Sequence, residues 1–179
     1  MVSVVSTPAQ QATTSAEAGS SRLARARAAL EAVTDPELPF LTIADMGILR
    51  DVRETAAGVI EIDITPTYSG CPATDVIRLD VEVALAKAGI TDAAVRTVLL
   101  PAWTTDWLSP EARAKLLANG IAPPVKASGK RALFASEDVT CPNCGSHETE
   151  RVSEFGSTAC KAQYRCTTCR EPFEYFKCI

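Results

Sequence analysis

Histidine is almost missing from this chain: His147 is the single one among 179 residues, and aromatic side chains make up only 6%. No Ser–His–Asp or Cys–His arrangement of the kind hydrolytic catalysis uses is evident around it. His147 itself, three residues past Cys144, reads as a loop residue rather than a ligand. No glycine-rich loop is present that would cradle a phosphate. No apolar run approaches the length that spans a bilayer. Basic residues are not in excess, with 18 Lys and Arg against 22 Asp and Glu and a net charge of -4. That removes the electrostatic drive toward nucleic acid or an anionic membrane. The opening "MVSVVSTPAQQATTSAEAGSS" lacks both a basic start and a continuous apolar stretch. It is therefore not read as a secretory signal, and a cytoplasmic location is expected. Cysteine is scarce over most of the chain: Cys71 stands alone, and the other six of the seven fall in the last 39 residues. Cytoplasmic thiols stay reduced, so an odd set of seven points to metal binding or reactivity rather than disulfides.

What is present is a globular composition, 46% hydrophobic and 22% charged, with room for one ordinary domain and a small one. Residues 1–20 are small and polar, with Glu17 their only charged side chain, and read as a disordered tail. "SRLARARAALEAV" places Leu23, Ala26, Leu30 and Val33 on one stripe of an amphipathic helix, which "TDPELP" ends. "GILRDVRE" and "VIEIDIT", four residues apart, predict an antiparallel hairpin. In the second, Ile60, Ile62 and Ile64 alternate with Glu61 and Asp63, the pattern of a strand with one buried face. "PATDVIRLDVEVALAKAG" predicts a helix with Val76, Leu79 and Val83 on its inner face and Gly89 as its stop. "AVRTVLL" returns as a strand parallel to the one before the helix. A last helix has Ser109 as N-cap, Pro110 as its first residue and Gly120 as terminator. The fold class expected is α+β: a small, mixed three-stranded sheet carrying helices over residues 21–120, a Pro/Gly/Ser linker over 121–135, and a second unit over 136–179.

The second unit announces itself through sulfur. "CPNCG" and "CTTC" form two C-x-x-C pairs, Cys141/Cys144 and Cys166/Cys169, separated by 21 residues. Such pairs fold into tight turns whose N–H groups help neutralise thiolates, and together they supply a tetrahedral site. The unit is read as a zinc ribbon, since fewer than 50 residues make a poor core and metal binding supplies folding energy. Rubredoxin-like iron would use the same ligands. From Arg131 onward there are six basic and seven acidic side chains, so the ribbon is read as a protein-docking module, with simple capping of the first domain as the alternative. Cys160 and Cys178 are left over; they are candidates for extra zinc ligands, a second thiolate pair, or burial.

Cys71 lies in "TYSGCPATDVI", where a strand pattern gives way to a helical one. Pro72 favours the first helical turn, which puts Cys71 at the N-cap, facing free N–H groups and the positive end of the dipole. Both favour a thiolate, the reactive and metal-binding form; the plain alternative is a small packed side chain. Asp35, Glu37 and Asp45, in "TDPELPFLTIADMGIL", are carboxylates that would orient this thiol or share a metal, or else serve as turn and cap residues.

"VTDPELPFLTIADMGILRDV" with "ITPTYSGCPATDVI" resembles the SufT-like metal–sulfur cluster assembly family. "TVLLPAWTTDWLSPEARAKLLANGIAPP", "CPNCGS", "FGSTACKAQYRC" and "EPFEYFKC" resemble the small accessory proteins of the phenylacetyl-CoA epoxidase system. The resemblance covers nearly everything after residue 20. It implies a non-catalytic factor that helps mature iron or iron–sulfur centres of the epoxidase components, above all those of the iron–sulfur flavin reductase. It implies structural zinc in the ribbon, transient handling of iron or an iron–sulfur cluster, and Cys71 as the reactive residue with the "DPE" segment close by. Trp103 and Trp107 in "PAWTTDW" are then anchors for a client surface, or core residues. A homo-oligomer is compatible with this reading. The rival readings are a permanent zinc subunit of the epoxidase with no reactive thiol, and a rubredoxin-type electron carrier.

Overall fold

The computed structural model describes residues 21–125 and 138–177. The expected tail over residues 1–20, most of the expected linker and Cys178 lie outside these residues. Helix α1 (21–30) turns Ala26 and Leu30 fully inward, as its periodicity predicts. β1 (Leu49–Glu54) and β2 (Ile60–Ile64) pair antiparallel, with Val52 opposite Ile62. α2 (Ala73–Lys87) then crosses over to β3 (Ala93–Thr97), which lies parallel to β2 with Val95 opposite Ile62. The sheet order β1–β2–β3 puts β2 in the centre. There Ile60, Ile62 and Ile64 are buried under the helices. The other face is wet and charged: Arg53 reaches Asp63 at 2.7 Å and Arg96 reaches it at 2.9 Å.

Helix α2 buries a different stripe from the one its sequence suggested. Ala73, Ile77, Val81 and Leu85 face the core, whereas Val76, Leu79 and Val83 are exposed. Both sets recur at helical spacing, so periodicity alone cannot rank them. The crossover geometry chooses, and the first set joins the isoleucines of β2 in one buried cluster. A short 3-10 turn (Thr105–Trp107) leads to α3 (Pro110–Ala118), where Ser109 accepts from the Ala112 N–H at 2.9 Å, as expected of an N-cap.

The stretch expected to open the linker contains a strand. β4 (Ile121–Ala122) pairs parallel with β7 (Pro172–Phe176), so the second sheet runs β4–β7–β6–β5. Its other strands are β5 (Thr149–Ser153) and β6 (Lys161–Cys166); β6 runs antiparallel to both β5 and β7. Tyr164 stacks on Phe173 and meets Tyr175 edge-on, giving this sheet a small aromatic core.

The two units share one interface. Phe176 and Cys160, from the second unit, belong to the buried cluster of the first. Trp103 packs edge-on against Phe176 at 6.1 Å and donates its indole N–H to the Met46 carbonyl at 2.9 Å. Trp103 is only 4% exposed, so it is an internal wedge and not a surface anchor. Trp107 is half-buried, with the Arg50 guanidinium 3.5 Å above its ring. Beside it Gly47 has a φ of +66°, and a Cβ there would sit 2.7 Å from that of Trp107.

Two measurements check these assignments. Trp103→Ala is expected to cost about 3–5 kcal/mol in chemical denaturation, the usual penalty for emptying a large aromatic site. Arg96, with Arg53, holds the Asp63 carboxyl below the ordinary aspartate range. A depressed folded value stabilises above the unfolded one and loses that contribution as pH falls through the folded one. Asp63→Asn should therefore lower stability at neutral pH and narrow the gap between neutral and acid melting temperatures.

Candidate thiol cavity and metal centre

Cys71 sits where β2 has ended and α2 has not begun. The Thr65 N–H still bonds the Ile48 carbonyl, at 2.8 Å, and the Cys71 N–H bonds that of Tyr68, at 3.2 Å. The reversal passes through Gly70 at φ +90°, a conformation that favours glycine. The helix starts one residue later than expected: Pro72 holds the cap position without a side-chain bond, and Cys71 precedes it. The Cys71 carbonyl accepts from the Thr74 N–H at 3.1 Å, and the side chain is half-buried.

Below Cys71 lies a cavity of about 10 Å³, lined among others by Asp35, Glu37, Met46, Thr67 and Cys160. Asp35 is buried, and its Oδ1 accepts from the N–H groups of Glu37 at 2.8 Å and Leu38 at 2.9 Å. Burial pushes its carboxyl up, and those two N–H bonds pull it back down only in part. Asp35 thus holds the turn that carries Glu37. The Glu37 carboxylate lies 3.7 Å from the Cys160 sulfur, which also meets the Thr158 hydroxyl at 3.0 Å. Burial pushes the Cys160 thiol up to about 11. Tyr68 stands close by; burial raises its phenol, and the neighbouring Cys71, Glu37 and Cys160 raise it further.

Sequence spacing groups Asp35, Glu37 and Asp45 together, but the fold separates them. Asp45 does not line the cavity. It accepts from the Thr42 N–H at 3.1 Å and pairs with Lys115 of α3. Burial raises its carboxyl, and the Lys115 and Thr42 bonds outweigh that and keep it low. Cys160 moves the other way: it joins the Cys71 cavity and stays out of the four-cysteine group. Tyr68 and Thr158 were missed. Tyr68 stands in the same "TYSGCP" motif as Cys71, whereas nothing local marks Thr158.

The ribbon's four sulfurs come from two turns facing each other. In the first, the Gly145 N–H bonds the Cys141 carbonyl at 2.9 Å; in the second, the Cys169 N–H points to the Cys166 sulfur at 3.5 Å. That bond draws the Cys166 thiol down to about 6. The liganding atoms of Cys141, Cys144, Cys166 and Cys169 all lie within 4.8 Å of one another. The Cys141–Cys169 and Cys144–Cys166 sulfurs are 3.8 and 3.6 Å apart. A tetrahedral zinc with bonds of about 2.3 Å needs sulfur–sulfur edges of about 3.8 Å, so the set fits the ion. Among the described residues no other group of three or more such ligands converges this way. His147 stands apart, paired with Asp138 at 2.9 Å.

The comparisons with known proteins agree with this two-part layout. Residues 23–99 match the model of the iron–sulfur cluster assembly protein family, and residues 125–177 that of the PaaD zinc beta ribbon domain. A protein of Escherichia coli K12, described as a component of 1,2-phenylacetyl-CoA epoxidase, is 50% identical over 85% of this chain and 90% of its own length. The chain belongs to the PaaD family. A Bacillus subtilis 168 protein described as an Fe-S protein maturation auxiliary factor, YitW, is 38% identical over 49% of this chain and 86% of its own. A crystal structure of a DUF59 domain from Bacillus anthracis superposes with a TM-score of 0.51 at 30% identity, covering 56% of this chain and 96% of that one. This PaaD-family chain therefore joins an assembly-type domain to a ribbon, and the thiol cavity lies at their junction.

Removing the ribbon's ion tests whether those sulfurs carry the second unit. Cys166→Ser, or exhaustive chelation, is expected to abolish stoichiometric metal binding and unfold the ribbon while the three-stranded sheet persists. Metal analysis beside amide exchange resolved by segment checks both parts.

Proposed function

We propose that this protein is a non-catalytic maturation factor for the multicomponent phenylacetyl-CoA epoxidase, assisting assembly of iron–sulfur or iron centres in its oxygenase and reductase components. The observation that carries this reading is the cavity under Cys71. A half-buried thiol, a carboxylate and a second thiol from the ribbon meet at one opening. Thiolate donors suit iron and iron–sulfur chemistry, whereas no histidine lines the cavity to activate a nucleophile for work on an organic substrate. The similar proteins described as an epoxidase component and as an Fe-S maturation factor support the same direction.

Within this reading the two sulfur sites have separate tasks. Cys141, Cys144, Cys166 and Cys169 hold structural zinc, and the ribbon so formed docks the client, with the iron–sulfur flavin reductase as the leading candidate. Zinc is favoured over iron because a redox-inert ion suffices where the requirement is shape. Cys71 handles the iron or cluster in transit. The work takes place in the cytoplasm.

Replacing Cys71 with Ser in cells growing on phenylacetate tests the reading. The reductase should lose iron–sulfur content and the epoxidase activity, while the purified variant keeps its fold and zinc. Full cluster content and full activity in the variant would sink the role given to Cys71. The zinc assignment is tested separately: anaerobically purified protein should be colourless with one zinc, and a rubredoxin-like visible spectrum would overturn it.

A further inference from the structure

The cavity under Cys71 is built by both units and is very small. Cys71 and Glu37 come from the first unit, and Cys160 stands immediately before β6 of the second sheet. We propose that Cys71, Cys160 and Glu37 together bind one divalent cation of the iron, cobalt or zinc class, a mononuclear site distinct from the four-cysteine centre. The inference deepens the maturation reading and rests on it for Cys71.

Size argues for a single ion. A volume of about 10 Å³ matches the smallest cavity that holds one water molecule, and a multi-iron cluster with its bridging sulfides is far larger. Donor chemistry argues for the class of ion: two sulfurs and one carboxylate oxygen favour borderline to soft cations over magnesium or calcium. Geometry supplies part of the coordination in advance. A tetrahedral ion bound to sulfur at about 2.3 Å and to a carboxylate at about 2.0–2.2 Å holds those two atoms about 3.5 Å apart. The Cys160 sulfur and the Glu37 oxygen are 3.7 Å apart.

The remaining groups fit this division of labour. Asp35 spends its Oδ1 on two backbone N–H groups, so it positions Glu37 and leaves ligation to it. Lys161, next to Cys160, pairs with Glu174 at 3.1 Å. Cys160 is buried and Cys71 half-buried, which makes Cys71 the solvent-side ligand. The converged arrangement of the ribbon's sulfurs is not matched here among the described residues. Binding therefore requires the Cys71 thiol to move onto the other two ligands. Each thiol gives its proton to solvent as it binds, and no electron is transferred. Three protein ligands leave one position open, the arrangement of a site that exchanges its ion rather than storing it.

The test uses the full-length protein, its ribbon filled with zinc beforehand, titrated anaerobically with cobalt(II) alone. One further equivalent of cobalt should bind with a thiolate-to-cobalt charge-transfer absorption, while bound zinc stays constant. Cys160→Ser should halve that absorption and weaken binding by at least about tenfold, since even outer-shell changes at metal sites cost about 10–100-fold. Glu37→Gln, which removes no core side chain, should weaken binding comparably and leave both sulfur contributions. The Cys71→Ser/Cys160→Ser double variant should bind none. Failure of the wild-type protein to bind, an unchanged absorption in Cys160→Ser, or persistence in the double variant would each overturn the site. Absent cobalt binding together with a depleted reductase in Cys71→Ser cells removes the mononuclear site and leaves the maturation role. Cobalt binding together with an intact reductase in those cells does the reverse.

Discussion

The ribbon's shape depends on four cysteines meeting across two facing turns. Its own buried cluster consists of eight residues, two of which, Cys141 and Cys166, belong to the sulfur set. Without an ion the remaining contacts are a few aromatic and small side chains around Tyr164 and Tyr175. Structural zinc in peptides of this size contributes about 10–16 kcal/mol, more than such a cluster supplies. An ion held there would fix the turns, and the turns set the register of β6 against β7.

That register reaches beyond the ribbon. Lys161 faces Phe176 across the strand pair, and the Lys177 N–H bonds the Cys160 carbonyl at 3.1 Å. One end of the hairpin therefore presents Phe176 to Trp103 and the Cys160 thiol to Glu37. A slip of one residue would turn both side chains to the opposite face and open the cavity under Cys71. The metal centre and the thiol cavity are thus mechanically linked though built from different cysteines. Loss of the ribbon's order removes one wall of the cavity without touching Cys71.

Much of the fold was legible from local pattern. The alternation of Ile60, Ile62 and Ile64 marks a half-buried strand wherever it occurs, and the hairpin follows from its short connection. Ser109 and Pro110 mark a helix start by chemistry that acts within one turn. The two C-x-x-C pairs are similar, because their geometry is set by their own turns. Legibility failed where two local patterns were equally good. Helix α2 carries two apolar stripes, and the buried one is selected by the sheet beneath it. Trp103 and Trp107 look alike in "PAWTTDW", yet one is a buried wedge and the other lies half-exposed under Arg50.

The candidate site divides along the same line. Residue types and spacing were enough to mark out the two-unit α+β layout, the four-cysteine group and Cys71 at a strand-to-helix turn, since each depends on neighbours a few positions away. Which carboxylate lies against Cys160, and that Cys160 reaches the Cys71 cavity, depended on packing between segments far apart in the chain, as the contact of Cys160 with Glu37 shows. Glu37 and Asp45 are chemically near-equivalent in the chain. Only the docking of the second sheet sets Cys160 against one, while Lys115 of α3 takes up the other.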